Sequence, residues 1–535
     1  MFSGPEHFRH AYYFSSLAAF LNARSMAVAN YNHVNSTNFD KKETYRIPDI
    51  LHIPDTENQL LMQSGIGQFR GMEFSDHRRM RIAMSVAMPW EPRYTQTTNS
   101  ENKILCVALA DNTGWQVVMH ANEMTEKEML IDIIERVTDR DPDGIERHDL
   151  FGLILPLLAT KRRMHDIMLR LGRSFHFVTS DDSNRTIAGK KSPFKNYLVP
   201  GRHAVDTLVL AEKSGAVSPD TGELDACAVA NDVTGTTDYA IGGSWRTAHE
   251  WEADRERIVE RTVAQSEAVS RISEILLPAE FYQSKMVPIP LGKLCFAGQA
   301  KKIELMMLRE YLWQGRAIPK PQEPSLFEGG YNERFITGKC DDVAKVDVVS
   351  QYPSIMVGKK IAPESDTLGV FLPLIEKMIS MRVEAKNHRD NVPAEDRVRY
   401  DNIQKSLKIL VNSAYGMLGH QYSYFADFDA AARITAKGRE IMKTIISVLQ
   451  NNGFAPIQCD KDGCHFSVTD ETKENPNTGF LKLRDALKRK LPGYIEIDID
   501  RVWPSMLSLR KKNYALLDAA GNVSITGGLL GNRRD

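Results

Sequence analysis

Carboxylates stand in two short apolar settings in the second half of this chain. Asp347 lies within Val346-Asp347-Val348-Val349, and two more lie within Asp460-Lys461-Asp462-Gly463. A carboxylate on a buried strand is costly unless it is paired or binds a metal. Mg2+ takes carboxylate and phosphate oxygens and keeps several waters, so two or three such groups suffice to hold it. Two such ions about 3.5–4 Å apart would activate an attacking hydroxyl and neutralise a leaving pyrophosphate. Each motif also has an ordinary reading. Asp347 could satisfy a helix start near Pro353, and an Asp-rich turn before glycine often has no function at all.

Bases at helical spacing complete the chemistry. Lys408 and Asn412 are four residues apart, as are Arg382 and Lys386, so each pair shares a helix face. Fixed positive charge suits a triphosphate, because stabilising transition-state charge is most of what a protein contributes to phosphoryl transfer. For any one of these residues a solvated helix face is the simpler account. The positioning elements are legible nearby. Residues 346–349 are β-branched and apolar, a buried strand, and 460–463 followed by His465-Phe466-Ser467-Val468 reads as a tight hairpin. Upstream, 104–110 and 115–119 read as two strands joined at Asp111-Asn112-Thr113-Gly114. Residues 125–138 read as a helix capped by Thr125, with Glu128 three residues on. Apolar positions over 251–277 recur at helical spacing, residues 1–80 show no sustained period, and Pro319-Lys320-Pro321-Gln322-Glu323-Pro324 reads as an extended linker.

With 535 residues the chain is expected to divide into about three or four domains. No apolar run reaches the roughly 18 residues needed to span a membrane, and Met1-Phe2-Ser3-Gly4-Pro5 opens no secretory signal. The six cysteines are scattered without a Cys-x-x-Cys pair, which disfavours a disulfide framework or structural zinc and makes a reducing cytoplasm the simplest expected compartment. Net charge is −1. Positive charge for a nucleic acid would therefore have to be segregated, as in Lys301-Lys302, the run from Lys482 to Lys490, or Arg510-Lys511-Lys512, each of which also reads as a solvated face.

Three motifs in order carry a resemblance: Asp347-Val348-Val349-Ser350-Gln351-Tyr352-Pro353-Ser354-Ile355, Lys408-Ile409-Leu410-Val411-Asn412-Ser413-Ala414-Tyr415-Gly416, and Asp460-Lys461-Asp462-Gly463. Together they resemble the polymerase motifs of family B DNA polymerases, closest to the short exonuclease-inactive archaeal and bacterial branch. The resemblance implies that Asp347 and Asp462, with the main-chain carbonyl of Val348, hold the metals, and that Asp460 supports them. It implies Arg382, Lys386, Lys408 and Asn412 around the triphosphate, with Ser350, Gln351, Tyr352 and Tyr415 completing the nucleotide pocket. Tyr352 would lie under the sugar and exclude a 2′-hydroxyl. Phe327-Glu328-Gly329-Gly330 resembles a template-contacting element. Lys511-Lys512-Asn513-Tyr514 resembles the element that holds the primer-template duplex, with Lys512 and Tyr514 carried over. Gly416 joins Gly329 and Gly330 as a DNA-side position.

The first half resembles the family's 3′→5′ exonuclease domain without its carboxylates. Val86 and Met88 fall where the first motif has Asp and Glu, Ile154 where the second has Asp, and Gln265 where the third has Asp. None of these side chains replaces a carboxylate toward Mg2+. Within the polymerase half Lys461 replaces the usual Thr, Gln351 the usual Leu, and Gly527 a lysine, and the chain stops about where the thumb begins. The expected fold is multidomain α/β and α+β: an N-terminal domain (1–80), a degenerate RNase H-like exonuclease domain (81–275), a connector and start of palm (276–340), palm (341–372 and 421–535) and two-helix fingers (373–420), with the thumb short or absent. The expected function is template-dependent addition of dNTPs to a primer 3′-hydroxyl with two Mg2+ ions, Mn2+ being an alternative. It would act without proofreading, in repair or lesion bypass. Primer-template DNA, dNTPs and replication or repair proteins are the expected partners, with no membrane. A catalytically inactive primer-template-binding accessory is the other reading.

Overall fold

The computed structural model describes the whole chain except residues 41–43, 45–46, 52, 54, 88–98, 174–176, 188–189, 215–223, 225–226, 229–244, 247, 500–501 and 528–535. Two compact units result, residues 55–298 and residues 1–54 joined with 299–535. The first residues belong with the second unit because their backbone bridges it, Ser3 to Arg316 and Phe8 to Ile318.

Unit 55–298 is built on a mixed sheet. β1 (Arg79–Ala87), β2 (Lys103–Asp111) and β3 (Gln116–His120) form an antiparallel meander. β4 (Gly144–Arg147) lies parallel to β1. β5 (Thr179–Ile187) and β6 (Lys190–Leu198) form a separate hairpin. β7 (His203–Asp206) is parallel to β4, and the short β8 (Trp245–Arg246) is parallel to the end of β1. The main order is β3-β2-β1-β4-β7.

β1 and β2 are apolar almost throughout because both of their faces are covered. On β1 the even positions Met80, Ile82, Met84 and Val86 join one core with Met129, Leu130, Ile133 and Val137. Those four come from the helix Glu126–Arg140, where Thr125 and Glu128 form the expected capping box. The odd positions face the helix Arg255–Ser284: Ser85 Oγ bonds Thr262 Oγ1 at 2.8 Å, and Arg81 Nη1 donates to Ser270 Oγ at 2.8 Å. That helix corrects the continuous one expected over 251–277. The chain breaks at Asp254, whose side chain accepts from the Arg257 N–H, and then runs through Pro278 to Ser284.

The other unit carries an antiparallel sheet of β9 (Asn332–Arg334), β10 (Gly338–Val348), β11 (Ala455–Asp460), β12 (Gly463–Ser467), β13 (Ile497–Ile499), β14 (Trp503–Arg510), β15 (Asn513–Leu517) and β16 (Val523–Thr526). Its order is β16-β15-β14-β10-β12-β11-β9, with β13 beside the end of β10. The helix Phe428–Asn451 presents a clean apolar stripe, including Ile434, Ile441, Ile445 and Leu449, and packs on β11 and β12. Residues 319–329 have no regular structure, as the prolines demand. The helix Leu17–Asn35 lies in the stretch that lacks a period, and it buries only Val28.

Candidate active site

β10 alternates, with Val346 and Val348 buried and Lys345 and Asp347 on the more open face. Asp347 pairs across the sheet with Gly463, the first residue of β12. The hairpin turn puts Lys461 in the left-handed region (φ +47°), and the Val348 N–H donates to the Asp462 carbonyl at 2.7 Å. Asp347 and Asp462 are thereby neighbours. Partial loss of hydration, and then the charge of Asp347, push the Asp462 carboxyl above its usual range. Gly463 makes this possible, since a Cβ there would run into Asp347 Oδ1.

Two expectations change here. The three carboxylates do not gather: among the described residues no group of three or more His, Cys, Asp or Glu is arranged to hold a metal. Asp460, last on β11, lies with Oδ1 3.4 Å from Lys512 Nζ. That oxygen is shielded from solvent and receives no hydrogen bond. Nor does Asp347 satisfy a helix start. The helix Gln351–Lys359 begins at Ser350 without a side-chain cap, and Asp347 is paired with Lys345 (Nζ to Oδ2, 2.6 Å) instead. Burial would lower the Lys345 ammonium, but its bond to Asp347 outweighs that and holds it above its usual value. No motif contained Lys345.

The bases come from two packed helices, Phe371–Asn391 and Ala394–Leu418. In the first, Phe371, Ile375, Met378 and Ala385 are buried, and Arg382 falls on the same stripe, four residues after Met378 and three before Ala385. Burial accordingly holds its guanidinium below the usual range, and Nη1 donates to Ser350 Oγ at 2.9 Å. Burial, followed by the charges of Arg382, Arg389 and Lys408, lowers the Lys386 ammonium. Arg382 and Lys408, two of the expected phosphate-binding cations, are thus close enough to act on the third, Lys386. Lys408 and Asn412 are exposed on the second helix.

Tyr352 and Tyr415 stack obliquely, ring centres 4.5 Å apart. Burial, then Tyr415 and Asp462, push the Tyr352 phenol up to about 12. Gly330 must lack a side chain because the Tyr352 hydroxyl occupies that space, whereas Gly329 and Gly416 face open space. The Glu328 and Gly329 carbonyls both accept from Arg439 Nη1, at 2.9 and 2.6 Å, a residue no motif contained. Gln351 departs from expectation: its side chain is buried and its amide donates to the Gly438 carbonyl at 3.4 Å. Tyr514 packs edge-on against His465 at 4.9 Å. At Gly527 (φ +95°) a Cβ would collide with the Lys512 carbonyl, so the lysine expected there has no room.

In the other unit Val86 and Ile154 are fully buried in one apolar core, and Met88 lies outside the described residues. Gln265 is on the helix Arg255–Ser284 and accepts from Arg147 Nη2 at 3.2 Å. Val86 therefore points away from the face that meets Gln265's helix. Ser85 bonds Thr262 there, and Ala87 packs with Ile258. A one-residue shift of a strand exchanges its faces, so the neighbours Ser85 and Ala87, and not Val86, share the face that meets Gln265's helix. Neither Ser85 nor Ala87 carries a carboxylate.

The polymerase-side donors suit a hard divalent cation. They are oxygens, and two neighbouring carboxylates repel each other. Asp347 and Asp462 would hold such an ion.

Residues 360–535 match the model of DNA polymerase family B. The DNA polymerase of Archaeoglobus fulgidus is 24% identical over 455 residues, covering 80% of this chain and 54% of that protein. DNA polymerase 1 of Pyrococcus abyssi is 23% identical over 476 residues, covering 81% and 59%. The chain spans a little over half the length of these curated relatives. The fold matches that of a family B DNA polymerase from Pyrobaculum calidifontis with TM-score 0.68 and 19% identity, over 84% of this chain and 60% of the other. Motif order, relatives and fold agree in their likeness to family B DNA polymerases.

Proposed function

We propose that this protein is a template-dependent DNA polymerase that adds dNTPs to a primer 3′-hydroxyl and does not proofread. The observation that carries the reading is the apposition of Asp347 and Asp462 at the end of β10, tied by the bond from the Val348 N–H to the Asp462 carbonyl. Two Mg2+ ions bound there would lower the pKa of the primer hydroxyl and neutralise the departing pyrophosphate. Arg382, Lys386 and Lys408 would fix the triphosphate, and their mutual repulsion, felt by Lys386, is the strain that a polyanion relieves. Tyr352, stacked on Tyr415 and abutting Gly330, would close the sugar side of the pocket against a 2′-hydroxyl. Arg439 would hold the Glu328-Gly329 backbone in place for template.

The absence of proofreading is supported by the apolar setting of Val86 and Ile154 and by the Arg147–Gln265 bond, none of which offers a metal two carboxylates. Unedited synthesis suits repair or lesion bypass. The Lys345–Asp347 ion pair favours a second reading, an inactive primer-template-binding accessory, because it engages a metal-binding oxygen. Primer extension on a labelled primer-template at low salt, with Mg2+ and separately Mn2+, separates the two. The wild type is expected to extend, and Asp347→Ala to lower the rate by about a thousandfold or more while leaving DNA affinity within roughly twofold. A folded wild type that binds the duplex yet extends nothing with either metal would leave the accessory reading.

A further inference from the structure

Beside the carboxylates that the proposed polymerase chemistry requires, a cation of the protein's own is already in place. Lys345 precedes Asp347 by two residues on β10, so strand alternation sets both on the same face. Its ammonium lies 2.6 Å from Asp347 Oδ2, a charge-assisted hydrogen bond. The stem reaches that position across β12 at Gly463, where a Cβ would come within 2.7 Å of Lys345 Cε. Lys345 also stands in register with His465, whose ring packs against Tyr514. The Lys345 and Asp347 side chains remain 27% and 34% exposed, so water can replace the bond between them. A lysine here, one side chain from two metal-binding carboxylates, has no structural task that an apolar residue would not fill. It neutralises one of two mutually repelling carboxylates, and it stands on an oxygen that an incoming cation needs.

We propose that Lys345 is a resident counter-ion of the metal-binding carboxylates and a determinant of when they take up metal. Resting on Asp347 as a ligand, this reading goes a step further. A free divalent cation must displace the ammonium and enter against its charge, so the centre loads weakly by itself. A nucleoside triphosphate adds negative charge, offsets that opposition, and favours joint entry of metal and nucleotide.

The test needs no turnover. Mn2+ is titrated into the full chain without DNA or nucleotide, and free Mn2+ is read by electron paramagnetic resonance. Lys345→Met, which keeps the apolar stem, is expected to bind Mn2+ about tenfold more tightly than the wild type. Lys345→Arg, which keeps the charge, should bind like the wild type, and Lys345→Gln offers a second neutral variant if Met does not fold. Asp347→Asn should weaken binding in the wild-type and Lys345→Met backgrounds alike. If Asp347→Asn weakens binding but both neutral variants match the wild type, the counter-ion role is overturned and the ligand assignment stands. If Asp347→Asn changes nothing, the ligand assignment falls and this proposal with it.

Discussion

The sheet of residues 79–246 and the sheet of residues 332–526 each bring a strand end against a helix where a two-carboxylate centre could be built, and they differ in what fills that place. At the end of β1 the three positions compared are paired or packed. Ser85 bonds Thr262, Gln265 accepts from Arg147, and Val86 is sealed in an apolar core. At the end of β10 electrostatic strain is left standing. Asp462 is pushed up beside Asp347, Asp460 Oδ1 is enclosed 3.4 Å from the Lys512 ammonium, and Lys386 is pushed down among other cations. Burial also pushes Glu146 and Asp206 up in residues 55–298, so the contrast is confined to the positions compared: carboxylates and cations at the end of β10, apolar and neutral side chains at Val86, Ile154 and Gln265.

The sharpest way to break this contrast is to put a carboxylate back. Val86→Asp would set an unpaired charge among Met84, Ile104 and Ile154, and is expected to cost about 3–5 kcal/mol in urea unfolding. Ser85→Asp, one residue away on the face that meets Thr262, should cost less than half as much. Equal costs would mean that the two faces of β1 do not differ as described.

His77 and His203 in residues 55–298 are held down to about 3 and about 4, chiefly by burial, and in the other unit His465 is held down to about 4. Unfolded, each titrates near 6.5, so below that pH the unfolded chain takes up protons that the folded chain refuses. The stability present above pH 6.5 is therefore lost as pH falls toward 4, by about 1.4 kcal/mol per pH unit for each histidine. Asp206 in the same unit as His77 and His203, held up to about 7 by burial and then by the charge of Asp149, takes up its proton in the folded chain over this range and offsets about one histidine's share. Hydrogen exchange at pH 7 and 5.5, corrected for intrinsic rates, should therefore show β1 losing no more protection free energy than β12, and His77→Phe, among Phe69 and Phe281, should remove one histidine's share of the loss in β1.

By contrast, removing charge from the strained site should cost little. Asp347→Asn breaks a partly exposed ion pair and relieves Asp462, so its effect on unfolding should stay within about 1 kcal/mol in either direction. A larger loss would mark Asp347 as a structural residue.

What the sequence disclosed and what it withheld follow from how local each signal is. The β2–β3 pair, the capping box at Thr125 and the hairpin at 460–463 rest on residues within a few positions of one another, and all are present. The helix Leu17–Asn35 escaped because it buries only Val28 and so has no apolar stripe to betray it. The face of β1 escaped because both faces are buried, leaving no alternation to fix a register. Lys345 and Arg439 escaped for a third reason: their roles depend on which strand or loop lies beside them, which no spacing within their own segments encodes. Gln351 was placed in the pocket by its motif, and the side chain turns toward Gly438 all the same.

Arg439 offers the finest test of the contrast, because it holds the loop beside the strained site through two backbone carbonyls and an ion pair to Glu328 (Nη2 to Oε2, 3.1 Å). Its guanidinium donates to the Glu328 and Gly329 carbonyls, and Thr435 Oγ1, one helical turn earlier, donates to Glu328 as well. Two donors on adjacent turns fix the loop that leads to Gly330, where the Tyr352 hydroxyl sits. Arg439→Ala leaves the Thr435 bond, so the loop should loosen without detaching, at a cost of roughly 1–2 kcal/mol for the bonds to a charged donor. If the loop contacts template, that cost appears as a DNA affinity lower by about five- to thirtyfold, with Mn2+ binding at Asp347 unchanged. Lys at this position keeps the charge but not the planar guanidinium whose Nη1 serves both carbonyls while Nη2 meets the Glu328 carboxylate, and should recover only part of the affinity. Were Arg439→Ala to weaken Mn2+ and DNA binding together, the loop and the carboxylates would be one mechanical unit, and the strain assigned to the carboxylates alone would have to be shared with it.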